Sequence, residues 1–85
     1  MNLMNITILN LSRKTTAAEL IKLFTPYGAV QSCDIVIDKN SGLSKGFGFI
    51  EMLNNEEASA AIIGLHGKNI GGNKIRVKIS NKTKE

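Results

Sequence analysis

At 85 residues the chain has the scale of one domain with a modest core, expected over 1–80 and followed by a flexible basic tail, 81–85. Hydrophobic content of 42% and charged content of 21% exclude a disordered chain, and no run approaches the roughly 20 apolar residues that cross a bilayer, so no membrane partner is expected. Eleven Lys and Arg against seven Asp and Glu leave a net charge of +4, which suits a polyanionic partner and equally suits plain solubility.

The opening "MNLMNITILNLSRK" lacks the basic start and unbroken apolar stretch of a signal peptide. Cys33 is the only cysteine. It rules out an internal disulfide and a paired-thiol metal site, and it reads as a small buried hydrophobe. A small domain without disulfides points to a reducing, cytoplasmic setting.

Residues 5–11, "NITILNL", alternate apolar and polar side chains with β-branched residues, the pattern of a strand. Thr16 with Glu19 three residues on is a capping box. Ala17, Leu20, Ile21 and Phe24 then form one helical stripe, and Pro26 and Gly28 stop it. Phe24 and Tyr27 read as packing residues. "VQSCDIVID", 30–38, alternates again, "KNSGLS" is a loop, and "KGFGFIEML" is a third strand. Asn54 and Glu57 repeat the capping signature ahead of a second stripe, Ala58, Ala61, Ile62 and Leu65. "HGKNIGGNK" reads as loop with a short extended piece at 68–70, and "KIRVKIS", 74–80, is the last strand. His66 lies in that loop and is expected to have little effect.

The order strand, helix, strand, strand, helix, strand is the split βαβ, ferredoxin-like arrangement. The expected fold is therefore α+β: a βαββαβ sandwich with a four-stranded antiparallel sheet and both helices on one face. The helices need apolar partners. That assigns Ile6, Ile8, Cys33, Ile35, Ile37, Ile50, Met52, Ile75, Val77 and Ile79 to the covered face. The open face then carries Thr7 and Leu9, Asp34 and Val36, Lys45, Phe47, Phe49 and Glu51, and Arg76 and Lys78. The opposite register would bury Lys45 and Glu51 and leave Ile50 and Met52 wet. Gly46 and Gly48, on the covered parity, would let a helix or neighbouring strand come close. Two phenyl rings on a solvated sheet beside Lys45, Arg76 and Lys78 suit a ligand with flat faces and negative charge. Single-stranded nucleic acid has both, and each base stacked on a ring is worth about 1–3 kcal/mol.

Lys45-Gly46-Phe47-Gly48-Phe49-Ile50-Glu51-Met52 also resembles the octamer of the RNA recognition motif, K/R-G-F/Y-G/A-F-V-x-F/Y, with Ile for Val and Met for the last aromatic. The hexamer that this family carries on its first strand is similar to Ile6-Thr7-Ile8-Leu9-Asn10-Leu11, which brings Asn10 into the candidate site. "PYGAV", the loop from Asp38 to Gly46 and "A..AI..L.G" from Ala58 to Gly67 are similar in spacing, so the resemblance runs from about residue 4 to 79. It implies non-catalytic binding of single-stranded RNA, with single-stranded DNA sharing the same chemistry. Phe47 and Phe49 would meet sugars and bases, and Lys45 would pair with phosphate. A stand-alone domain of this kind resembles the small single-domain members found in bacteria, and a monomer is expected.

Thr7 departs from the pattern, since that position is usually an aromatic that stacks a base. Losing one platform worth about 1–3 kcal/mol lowers affinity about 5- to 150-fold, so weak binding with modest sequence preference is expected. Leu9 and Val36 offer apolar contact without a π face. Asp34 and Glu51 would repel phosphate unless they accept hydrogen bonds from base amino groups. Arg13, Lys14, Lys82 and Lys84 are either phosphate contacts or plain surface.

Two further function classes stand beside this one. A protein-interaction module would use Phe47, Phe49, Leu9 and Val36 as an apolar patch. An enzyme would need chemistry that the chain does not display. Acylphosphatases share the split topology, and Arg13 could be compared with their arginine, but "VQSCDIVID" offers no asparagine. One histidine, no paired carboxylates and no metal spacing leave no catalytic residues, cofactor or metal to expect.

Overall fold

A computed structural model describes residues 4–80. The tail expected at 81–85, with Lys82 and Lys84, lies outside the described residues. The apolar alternation of the sequence becomes strands β1 (Met4–Leu9), β2 (Val30–Ile37) and β3 (Ser44–Met52), followed later by β6 (Arg76–Ile79). These four form one sheet in the order β2-β3-β1-β6, with every pairing antiparallel. Helices α1 (Ala17–Phe24) and α2 (Asn55–Leu65) sit at the predicted places in the chain. The fold is the expected α+β sandwich.

At α1 the capping box is complete. Thr16 Oγ1 accepts from the Glu19 N–H, and the Glu19 carboxylate accepts from the Thr16 N–H, both at 3.2 Å. At α2 only half of the expected box forms. Asn54 Oδ1 accepts from the Glu57 N–H at 2.9 Å, but the Glu57 carboxylate turns to the Ala29 N–H at 3.3 Å. Glu57 thereby ties the start of α2 to the segment that leads into β2.

Even-numbered residues of β1 and β3 (Ile6, Ile8, Ile50 and Met52) are fully buried against Leu20 and Phe24 of α1 and Ala58 and Ala61 of α2. Ile75 and Val77 complete the core from the last strand region. Three positions differ from the predicted stripes. Ile21 is 40% exposed while Leu23 packs on the core, so the inward face of α1 is rotated slightly from the periodic reading. Ile37 is 50% exposed at the end of edge strand β2, close to the exposed Leu43. Ile79 is half-buried at the end of β6.

Pairing between β2 and β3 is irregular at both ends. Val30↔Met52 is followed by Ser32↔Glu51, so β2 holds one extra residue there. This bulge lets both Val30 and Cys33 pack toward the core despite their odd spacing. Further along, two steps of β2 from Ile35 to Ile37 face four steps of β3 from Gly48 to Ser44. The slack sits around Gly46, whose φ of +90° is open to glycine.

The segment read as loop around 68–73 contains a small hairpin, β4 (Asn69–Ile70) and β5 (Asn73–Lys74). Gly71 and Gly72 join them with φ of 62° and 92°, the positive pair that a tight hairpin turn needs. Lys74, expected in the last strand, therefore belongs to the hairpin.

His66 has a task that its loop position did not suggest. β6 is an edge strand, and the outward backbone groups around it need partners. The Gly67 N–H donates to Ile75 O at 2.8 Å, the Ile75 N–H to Lys68 O at 3.0 Å, and the Val77 N–H to His66 Nδ1 at 3.0 Å. The ring of His66 stands in for a strand along this stretch of the edge.

Candidate nucleic-acid interface

Antiparallel register sets the open face out in rows. Across the middle run Lys78, Thr7, Phe49 and Asp34, one from each strand, through the pairings Thr7↔Lys78, Thr7↔Phe49 and Asp34↔Phe49. A second row holds Arg76, Leu9 and Phe47. A third holds Asn5, Glu51 and Ser32. Phe49 is 41% exposed and Phe47 half-buried, although the neighbouring Ile50 is fully buried. The rings lie 6.0 Å apart, centroid to centroid, with planes 86° apart. In this edge-to-face pair, one ring shows its face where the other shows an edge. Two bases stacked in parallel on both rings would require one ring to turn.

Charge is unevenly distributed over this surface. Arg76 and Lys78 are exposed on the β6 side, and Lys45 is exposed at the start of β3. Asp34 is exposed on the β2 side. Glu51 is half-buried, and its Oε1 accepts from the Ser32 hydroxyl at 2.8 Å. Val36 is half-buried on the same outer strand.

Lys45, Phe47, Leu9 and Asn10 share a shallow cleft with Arg13 and Asn73 at the end of the sheet. Asn10 shapes that cleft. It adopts φ of +62°, its side-chain amide donates to Lys74 O at 2.8 Å, and its own carbonyl accepts from Asn73 Nδ2 at 3.3 Å. The side chain thus ties the end of β1 to the β4–β5 hairpin. Asn73 and Ser32 were not singled out from the sequence. Ser32 shares the parity of Asp34 and could have been found by alternation, whereas the place of Asn73 depends on a turn that reaches back across 63 positions.

Cys33 lies on the opposite, helix-facing side, half-buried, with Sγ 3.7 Å from Ala17 O. Burial, and then the neighbouring Asp34 charge, push its thiol up to about 11. Such a thiol carries little thiolate near neutrality. Alkylation by iodoacetamide at pH 8 is expected to run at least about tenfold slower than for free cysteine. A rate equal to that of free cysteine would show a thiol standing in solvent.

The sequence profile described as the RNA recognition motif matches residues 6–76. The chain belongs to the RNA recognition motif family. Protein elav of Drosophila melanogaster is 44% identical over 80 residues, which cover 93% of the chain and 17% of that protein. The chloroplast RNA-binding protein CP31B of Arabidopsis thaliana is 37% identical over 71 residues, covering 84% of the chain and 25% of that protein. The chain therefore spans a quarter or less of these curated relatives. Among solved structures, RNA Binding Protein PG1 superposes with a TM-score of 0.90 at 36% identity, covering 96% of the chain and 99% of that one. The Sxl-lethal protein–RNA complex superposes with a TM-score of 0.87 at 26% identity, covering 95% of the chain and 48% of that one. These two relatives and four others that match similarly come from flies and plants, so the expected likeness to bacterial members gains no support from them.

Proposed function

We infer that this RNA recognition motif binds single-stranded RNA on the open face of its sheet and performs no catalysis. One observation carries the reading. Phe49 stands 41% exposed beside Phe47 on the side of the sheet that the helices leave uncovered, and across β1 the same two rows end in Lys78 and Arg76. Bases stack on such rings, and phosphates seek such cations. In this reading residues 1–80 act as one module and as a monomer, Lys45, Arg76 and Lys78 face the phosphates, and Leu9 and Val36 give apolar contact to bases or sugars. Single-stranded DNA offers the same faces and charges. A reducing compartment such as the cytoplasm remains part of the proposal, on the lone thiol. A peptide or a second protein could use the same apolar patch, and salt separates the two.

Titration of a labelled short RNA at increasing salt is expected to give a log–log slope of about −2, for three phosphates neutralised on a single strand. A slope near zero would favour the protein-interaction reading. Thr7 lies between Phe49 and Lys78, where an aromatic would add a stacking face. Thr7→Tyr is accordingly expected to tighten RNA binding about 5- to 150-fold, the equivalent of one stacked base. Unchanged affinity would mean that β1 does not touch the ligand.

A further inference from the structure

We propose that Asp34 reads the base stacked at Phe49 and selects guanine over uracil. This rests on the RNA-binding reading above and adds the identity of one base. Asp34 and Phe49 are direct cross-strand partners in the β2–β3 pairing. Opposed residues of an antiparallel pair on one face lie within side-chain reach of each other. Asp34 is exposed and shares the open face with Phe49, which puts its carboxylate within reach of a base stacked on that ring. On the other side of that ring the row continues through Thr7 to Lys78. The base site therefore has an anionic acceptor at its β2 end and a cationic donor at its β6 end. The next acid along the face, Glu51, already accepts from Ser32 through one oxygen.

An ionised carboxylate only accepts hydrogen bonds. Guanine offers it two adjacent donors, N1–H and the 2-amino group, in a bidentate match. Its O6 and N7 are acceptors that suit the lysine end. Uracil offers a single N3–H flanked by two carbonyl oxygens, whose lone pairs face the carboxylate. Adenine and cytosine each place one amino group beside a ring-nitrogen acceptor and fall between the two. In single-stranded RNA these edges are free to be read. The same carboxylate that weakens phosphate binding thereby becomes a source of base preference.

The test is fluorescence anisotropy at constant salt, with labelled oligouridine and the same oligomer carrying one guanosine, inosine or adenosine. The guanosine oligomer is expected to bind about tenfold or more tighter than oligouridine, the scale of a charge-assisted hydrogen-bond pair. Inosine keeps O6, N7 and N1–H and lacks only the 2-amino group, so it should fall clearly below guanosine. Asp34→Ala and Asp34→Asn should bring guanosine and uridine oligomers to near equality, the alanine variant by gaining affinity for uridine as repulsion is removed. Thermal melts of both variants verify the fold. Equal binding of guanosine and uridine oligomers by the unaltered protein, or a guanosine preference that survives Asp34→Ala, overturns the assignment and leaves RNA binding standing. Failure of every oligomer to bind overturns both.

Discussion

Phe49→Ala is expected to weaken binding of a short single-stranded RNA about tenfold or more, since one base–ring stack contributes about 1–3 kcal/mol. The same change should leave the fold in place. The ring is 41% exposed and lies opposite Thr7 on one side and Asp34 on the other. Neither neighbour packs a large apolar surface against it. Cross-strand contacts of this kind contribute roughly 0.2–1 kcal/mol each, well short of what burial of a core phenylalanine provides. Anisotropy with a labelled RNA and a thermal melt of the same sample separate the two effects. Unfolding as the main effect of the change would place Phe49 in the core and remove the basis for the interface.

The second large effect falls on stability. Gly48 lies on the covered side of β3, between the two phenylalanines, and faces the backbone of β2. A Cβ at this position would lie 2.6 Å from Asp34 O and 3.2 Å from Ile35 Cα. Both atoms belong to the main chain, so no side-chain rotation relieves the overlap. The pairing of edge strand β2 with β3 must spread instead. Gly48→Ala is expected to cost about 1–3 kcal/mol, as overpacking in a close-packed interior does. For a domain of this size that lowers Tm by roughly 10 °C. Because Asp34 and Phe49 flank the displaced pairing, RNA affinity should fall as well. An unchanged melting midpoint would show that β2 and β3 can separate freely at this point.

These two neighbours show how far the sequence could be read. The chemistry of an octamer on an alternating strand requires Phe47 and Phe49 on one face and Ile50 and Met52 on the other, because the pleat repeats every two residues. The helix caps at Thr16 and Asn54 and the apolar stripes were likewise legible, since they depend on contacts three or four residues apart. Where alternation breaks, the sequence alone was silent. Nothing local announces the extra residue between Val30 and Ser32, or the slack around Gly46, because a bulge is defined against a partner strand.

The remaining features belong to contacts between distant segments. Glu57 carries the signature of a capping box, yet its carboxylate serves Ala29, which the fold brings within 3.3 Å. His66 reads as a dispensable loop residue until β6 lies beside it with an unpaired N–H at Val77. Asn10 reads as a base contact from its place in the hexamer, while its amide is held by Lys74. Local pattern thus specified the two helices and the four main strands, the face that most of their side chains take and the family, because periodicity and capping are short-range. The row that sets Lys78, Thr7, Phe49 and Asp34 side by side came only from strand pairing, which here joins Thr7 to Lys78, 71 positions apart in the chain, a relation that no short-range pattern encodes.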